Sequence, residues 1–155
     1  MEYLGIVVDD LEAGVQRFSD LFDLEFEILN IDDLEVRTTD GAIPDAQAPQ
    51  SRMRVAVDSS GFFELVEVAG ADEGFRNIHF RVDSVEDAIA ELSGRGLHLV
   101  RHFVVGQMRE AIFASDDLFG LRVCLLEYAG PSLSAAMRAK GPEVAKGGGG
   151  VDAIR

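Results

Sequence analysis

Residues 61–70 read GFFELVEVAG, and residues 120–130 return to the same phrase as GLRVCLLEYAG. Both segments begin with glycine, pass through a strand-like run and close on Glu-x-Ala-Gly, so Glu67 and Glu127 stand 60 residues apart. Residues 3–11 (YLGIVVDDL) and 77–85 (NIHFRVDSV) are also alike, since each leads from an apolar run through a capping residue into a helix. Similarity at a fixed spacing is the signature of a repeated unit, so the chain is predicted to contain two copies of one module.

The first module is predicted to cover residues 2–70 in the order β-α-β-β-β. Asp10 stands where a helix N-cap belongs, and apolar residues recur behind it at helical spacing. The Asp40-Gly41 turn opens a polar loop that runs to residue 51 and carries the extra length of this half. The strands are predicted at residues 2–8, 25–29, 34–38, 53–57 and 62–68, and the last two form a hairpin.

The second module is predicted to cover residues 75–129, with Ser84 as the cap of its helix. Its later strands are expected at residues 97–105, 110–114 and 121–128. Residues 130–155 form a C-terminal tail, in which 131–140 suit one short helix and 147–150 are a flexible glycine tract. This tail is expected to be peripheral, with the alternative that its helix packs across the sheet or a partner subunit, and the whole chain is expected to be one structural domain.

The composition excludes several classes of partner. The net charge is −14, from 28 acidic and 14 basic side chains, and no basic cluster could follow a phosphate backbone, so nucleic acid and anionic membranes are not expected partners. A single cysteine rules out an intramolecular disulfide. No apolar run approaches the length of a membrane span and no signal peptide is evident, so a cytoplasmic location is expected.

Residues 2–129 resemble the vicinal oxygen chelate superfamily, which includes glyoxalase I, the bleomycin resistance proteins and the extradiol dioxygenases. The resemblance rests on the module order, the two helix caps, the phrase ELVE at residues 64–67 and the phrase DLFG at 117–120. It implies an α+β fold in which tandem β-α-β-β-β modules form a cup-shaped mixed sheet with helices outside. In enzymes of that family a divalent metal is held by inward side chains from the opening and closing strand of each module.

The resemblance places those four metal positions at Tyr3, Glu64, Asn77 and Cys124. Glu64 alone matches the family's ligand types, because phenol and amide groups are weak neutral donors for a hard divalent ion. No cofactor is therefore predicted. An alternative remains in which a register shift or β-bulge lets His79 act with Glu64, and Cys124 gives a thiolate to zinc.

The candidate site residues are those expected to line the cup. Glu64 or His79 could serve as a general base, whereas the structural alternatives are that Glu64 pairs with Arg81 and that Cys124 is a small buried filler. Arg109 or Arg122 could pair with an anionic substrate or simply lie on the surface. The predicted ligand-binding residues are Tyr3, Val7, Phe62, Glu64, Asn77, His79, Phe113, Cys124 and Leu126.

Three functions follow from this pattern. The first is a bleomycin-resistance-like protein that binds a small organic molecule in the cup without the family's metal. The second is a lyase, isomerase or dioxygenase with an atypical metal site or a Glu64 or His79 base. The third is a non-catalytic association domain. A homodimer is expected, and the sequence leaves open whether the modules pair within a chain or across the dimer.

Overall fold

A computed structural model describes residues 1–31, 36–38 and 53–140. The predicted loop at 39–52 and the glycine tract at 147–150 lie outside these residues. The first half contains β1 (Tyr3–Val7), α1 (Leu11–Phe22), β2 (Phe26–Asn30), β3 (Val36–Thr38), β4 (Met53–Asp58) and β5 (Phe63–Val68). The second half contains β6 (Gly74–Arg81), α2 (Val85–Gly94), β7 (Leu99–Val105), β8 (Met108–Phe113), β9 (Val123–Glu127) and α3 (Leu133–Arg138).

The strands form one mixed sheet in the order β2-β4-β5-β1-β6-β9-β8-β7-β3. Within each half the opening and closing strands are parallel neighbours, β1 with β5 and β6 with β9. The two halves join through the antiparallel pairing of β1 with β6, so the modules pair within one chain. The sheet curls into a half-barrel, which confirms the predicted α+β cup.

The strand β3 differs from the prediction. It was expected to lie among the other strands of the first half, but it pairs with β7 at the far edge of the second. Because Ile31 and Val36 are five residues apart, the chain between them spans at most about 18 Å. The two edges of the sheet therefore lie close enough for this short segment to connect them. Apart from β3, each module has the predicted order β-α-β-β-β.

The repeated glutamates hold the helices to the sheet. The Oε2 atom of Glu67 accepts a hydrogen bond from Leu11 N at 2.9 Å, at the start of α1. In the second half, Glu127 Oε2 accepts from Val85 N at 2.8 Å, at the start of α2. Free N–H groups at a helix N-terminus favour an anionic partner, so the repeated Glu-x-Ala-Gly phrase is explained by the scaffold.

Both predicted helix caps are confirmed. The side chain of Asp10 accepts from Ala13 N at 2.9 Å, and the hydroxyl of Ser84 accepts from Asp87 N at 3.1 Å. The helices then cover the outer face of the sheet. There α1 packs over a cluster that contains Leu65, and α2 packs over one that contains Phe113. The inner face of the sheet is left to form a third cluster.

The helix α3 lies in that inner cluster, so the expectation of a peripheral tail is wrong for these residues. Leu133, Ala136 and Met137 are each at most 5% exposed and pack with the cup lining. Gln107 N donates to the carbonyl oxygen of Ala136 at 2.9 Å. Gly106 has a φ of +58°, and a Cβ there would lie 2.3 Å from the carbonyl oxygen of Met137. A side chain at this turn would therefore clash with the backbone of α3, and glycine allows the helix to pack there.

The position of α3 also decides which end of the cup is covered. The β7–β8 turn lies at the end of the sheet where β1 begins, because β8 runs in the same direction as β1. On the other side of the cup, Arg138 bonds the carboxylate of Glu27 and, at 3.3 Å, the carbonyl oxygen of Ile28. The helix thus closes the end of the cup that contains Tyr3. None of the described helices is long and apolar enough to cross a membrane.

Candidate functional site

The four central strands bring the predicted polar residues together. Gly5 of β1 is paired with Glu64 on one side and with Asn77 on the other. One step away, His79 of β6 is paired with Cys124 of β9. Asn77, His79 and Cys124 are 4%, 2% and 0% exposed, so the cluster lies within the cup wall and not at its rim.

His79 stands between two carboxylates. Its Nε2 atom lies 3.6 Å from Glu64 Oε2 and 3.5 Å from Glu110 Oε1. The side chains of both glutamates are largely buried, with 14% and 12% of their area exposed. The site is thus a buried imidazole flanked by two acidic groups, from β5 on one side and β8 on the other.

Glu110 is the residue that the sequence prediction missed. The resemblance directs attention to opening and closing strands, whereas β8 is a middle strand of its module. A signal was nevertheless present, because Ala111 and Phe113 are apolar and alternate with Glu110 along the strand. Since successive side chains point to opposite faces, burial of Ala111 and Phe113 beneath α2 directs Glu110 into the cup.

Asn77 is held over Gly5. Its Nδ2 atom donates to Cys124 Sγ at 3.2 Å, while Oδ1 is buried and has no hydrogen-bond partner. A Cβ on Gly5 would lie 1.7 Å from this Oδ1 and 3.4 Å from Glu64 Oε2. The missing side chain of Gly5 is therefore what makes room for the Asn77 amide beside Glu64.

The pKa shifts follow from this burial. Burial raises the pKa of Glu64, although the charge of His79 acts in the opposite sense. Burial acts to lower the pKa of His79, but the charge of Glu64 and contacts with Cys124 and Glu110 outweigh it and raise the pKa well above its usual value. Burial raises the pKa of Cys124 to about 11. The arrangement favours a protonated imidazole between carboxylates and a neutral thiol, so Cys124 is not an activated nucleophile.

The four positions used by the family's metal do not fit that ion here. The hydroxyl of Tyr3 is hydrogen-bonded with Tyr128, and burial raises the pKa of Tyr3 to about 12. Asn77 turns its amide N–H towards the thiol of Cys124. Of the four positions, Glu64 alone therefore offers an anionic oxygen. The phenol, the amide and the protonated thiol at the other three are poor ligands, and one carboxylate is too few for a hard divalent cation.

The predicted lining residues separate into two groups. Val7 and Leu126 are buried, and Leu126 belongs to the inner cluster. The expectation that Phe113 lines the cup is wrong, because alternation along β8 places it in the outer cluster beneath α2. Phe62 was expected to be buried beside Glu64 but is 57% exposed. It precedes β5, in the turn where its N–H donates to Asp58.

The contacts contradict the predicted pairing of Glu64 with Arg81. Arg81 does not pair with Glu64, because its guanidinium lies 4.0 Å from the ring centroid of Tyr128 and donates to the Tyr128 carbonyl oxygen at 2.8 Å. The arginine that acts on Glu64 is Arg76, whose charge lowers the pKa of that carboxyl. Arg76 is the residue of β6 left unmatched where the register with β1 shifts, so a β-bulge is present next to Asn77.

An open groove lies at the end of the sheet opposite α3. Its volume is about 290 Å³, comparable with the lower end of the range for small-molecule sites. Two arginines, a serine and a few apolar groups share its walls, and Arg76 connects it with the buried cluster. The lining residues are Val7, Ala71, Phe75, Arg76, Ser115, Gly120 and Arg122.

Comparison with known proteins finds likeness to solved structures, and at the level of fold alone. No protein-family model matches the chain. No curated protein matches its sequence either. A solved structure of a hypothetical protein from Bacillus halodurans C-125 is similar over 85% of this chain and 96% of that one, with 17% identity and a TM-score of 0.61.

Methylmalonyl-CoA epimerases are similar as well. A variant of the Streptomyces coelicolor enzyme in complex with 2-nitronate-propionyl-CoA matches over 84% of this chain and 97% of that one, with 18% identity and a TM-score of 0.58. The Mycobacterium tuberculosis enzyme gives 18% identity and a TM-score of 0.58, over 87% and 91% of the two chains. At these identities the likeness establishes the fold.

Proposed function

We propose that the protein binds a small organic anion in the groove between β1, β6 and β9, without a metal at the family's four positions. The observation that carries this proposal is the pair of arginines, Arg76 and Arg122, on the walls of one groove in a protein of net charge −14. The salt bridges among the described residues use other arginines. Two guanidinium groups that form no salt bridge with a described carboxylate are suited to a carboxylate or phosphate ligand.

The other walls support a small ligand with an apolar part. Val7 and Phe75 supply hydrocarbon surface, and the hydroxyl of Ser115 supplies a polar group. A few convergent polar groups in an otherwise apolar wall are typical of small-molecule sites. The ligand's charged end is expected to lie between the arginines and its apolar end against Phe75, which is 57% exposed.

The test is a binding measurement on short-chain mono- and dicarboxylates, with methylmalonate among them, against their neutral amides. Titration calorimetry should find saturable binding of an anion, and Arg122→Gln or Arg76→Gln should weaken it by about tenfold or more, since a hydrogen bond to a charged group contributes about 1.5–3 kcal/mol. Arg95→Gln is the matched control, because Arg95 lies beyond α2 in an exposed ion pair with Glu91. Equal loss in all three variants, or no saturable binding across the panel, would refute the proposal.

A second candidate is an isomerase that moves a proton on the bound molecule. It is favoured by the two carboxylates that flank His79, and by the charge of Arg76, a groove residue, which acts on Glu64. The structural likeness to proteins named as epimerases agrees with it. Deuterium incorporation from D₂O into a bound carboxylate, abolished by Glu64→Gln and retained in Glu86→Gln, would support this candidate. Binding without exchange would leave the binding function alone.

A further inference from the structure

A second feature of the cup is independent of the groove: three side chains of metal-binding type converge behind it. A ring nitrogen of His79, a carboxylate oxygen of Glu110 and Cys124 Sγ all lie within 4.8 Å of one another. They come from three adjacent strands, β6, β9 and β8. Since each is fixed in a regular ladder, their convergence does not depend on a flexible loop.

The spacing of the donors suits a metal better than direct hydrogen bonds. His79 Nε2 lies 3.5 Å from Glu110 Oε1 and 3.6 Å from Glu64 Oε2, which is beyond the usual N–H···O distance of about 2.7–3.2 Å. Zinc bonds nitrogen and oxygen at about 2.0–2.2 Å, so such ligands of a tetrahedral ion are separated by about 3.3–3.6 Å. The observed separations fall within that interval.

The buried surroundings of the cluster are polar and not fully hydrogen-bonded, although the nitrogen without a partner is Nδ1 and the nitrogen that faces Glu110 is Nε2. His79 Nδ1 and Asn77 Oδ1 have no hydrogen-bond partner, and both residues are more than nine-tenths buried. A buried polar atom without a hydrogen-bond partner destabilises the folded state, so native structures contain few of them. Asn77 Nδ2 meanwhile donates to Cys124 Sγ, as a supporting group does for a metal-bound thiolate.

We infer that His79, Glu110 and Cys124 bind a zinc ion, and that its binding releases the protons that the imidazole and the thiol carry in its absence. One thiolate and one carboxylate balance the charge of a divalent ion, and the combination of sulfur with imidazole favours zinc over magnesium or calcium. Cys124 is the one member that also occupies a metal position of the family. His79 stands two residues along β6 from Asn77, and Glu110 lies on a strand that contributes no ligand in the family arrangement.

Because two of the proposed ligands, His79 and Glu110, lie away from the family's metal positions, the residues found at those positions have other roles. Asn77 becomes a supporting donor to the thiolate, and Tyr3 packs edge-on against His79 with ring centroids 6.4 Å apart. Glu64 Oε2 lies 3.6 Å from His79 Nε2, so it would be close to the open fourth position that three-ligand zinc sites leave to water or substrate. The charge of Arg76, a residue of the groove, also acts on Glu64.

The test is metal binding to the full, untagged chain. After loading with zinc and removal of excess, elemental analysis should find one zinc per chain, and cobalt in its place should give a near-ultraviolet thiolate-to-metal charge-transfer band. Cys124→Ser should abolish that band. His79→Gln and Glu110→Gln should weaken zinc binding by at least about tenfold, because loss of a mere supporting group already costs about 10–100-fold.

Matched controls separate this site from its alternatives. His98→Gln removes an exposed histidine that pairs with Asp117, and Tyr3→Phe removes a hydroxyl at a family metal position; both should retain zinc. Circular dichroism checks that each variant is folded, and Glu110→Gln, which preserves shape, carries the test if Cys124→Ser does not fold. Absence of stoichiometric zinc in the wild type, or zinc retained by the folded His79 and Glu110 variants, would overturn the inference. Anion binding in the groove is measured separately, so either result can fail alone.

Discussion

Gly5→Ala should destabilise the protein through a single clash. The added Cβ would lie 1.7 Å from Asn77 Oδ1 and 2.9 Å from Asn77 Cγ, whereas ordinary contact begins at 3.4 Å. Asn77 must therefore swing away and release Cys124 Sγ. Overpacking costs about 1–3 kcal/mol and a lost hydrogen bond about 0.5–1.5 kcal/mol, so the free energy of unfolding should fall by about 2–4 kcal/mol.

Urea unfolding of a double-mutant cycle isolates this clash. In the Asn77→Ala background the nearest atom to the new Cβ is Glu64 Oε2 at 3.4 Å, which is tolerable. Gly5→Ala should then cost less than about 0.5 kcal/mol, so most of its effect should appear as coupling with Asn77. Gly94→Ala is the control, because no atom lies within 4 Å of its Cβ. An equal cost for Gly5→Ala in both backgrounds would refute this account of the site.

Four further substitutions test the scaffold by equilibrium unfolding, and the last of them also by proteolysis. Glu67→Gln and Glu127→Gln should each cost about 1 kcal/mol, because each removes the anion from a helix N-terminus, whereas Glu91→Gln on the surface should change little. Burial acts to raise the pKa of Asp58, but hydrogen bonds from Ser60, Phe63 and Phe62 outweigh it and lower the pKa. The stability that Asp58 contributes is therefore present above its unfolded pKa of about 3.9 and lost as pH falls through the lower folded value, so Asp58→Asn should be less stable at pH 7 and lose less on acidification. Gly106→Ala should cost about 1–3 kcal/mol and speed proteolysis after Arg138, because the new Cβ meets the carbonyl oxygens of α3; unchanged proteolysis would contradict that seating.

Local signals in the sequence predicted the scaffold well. The caps at Asp10 and Ser84 and the hairpin after Met53 follow from rules that act within a few residues. The pairing of β3 with β7 could not be predicted this way, because the sequence of a three-residue strand does not indicate which strand it pairs with. The packing of α3 in the inner cluster was missed for a similar reason. The apolar residues of 131–140 predicted a helix. Its position could not be predicted, because it depends on the close approach of Gly106 to a segment about 30 positions later in the chain.

The site was predicted in part. The family resemblance, with the repeat as a guide, picked out Glu64, Asn77 and Cys124, and the register brings these residues and His79 together on the four central strands. The comparison could not find Glu110, since the residue has no counterpart in the repeat. It also misplaced Phe62, because the burial expected for an aromatic residue is overridden where its backbone N–H is bound to Asp58 in a turn.

The two ends of the cup are occupied differently. At the end where β1 begins, α3 fills the interior with Leu133 and Met137. At the end where β1 finishes, Val7 and Arg76 line the open groove. Arg76 is thus a residue of the groove whose charge also acts on Glu64. Because the charge of Arg76 acts on Glu64, neutralising it with an anionic ligand would raise the pKa of that carboxyl further, so the groove and the cluster are coupled through one guanidinium.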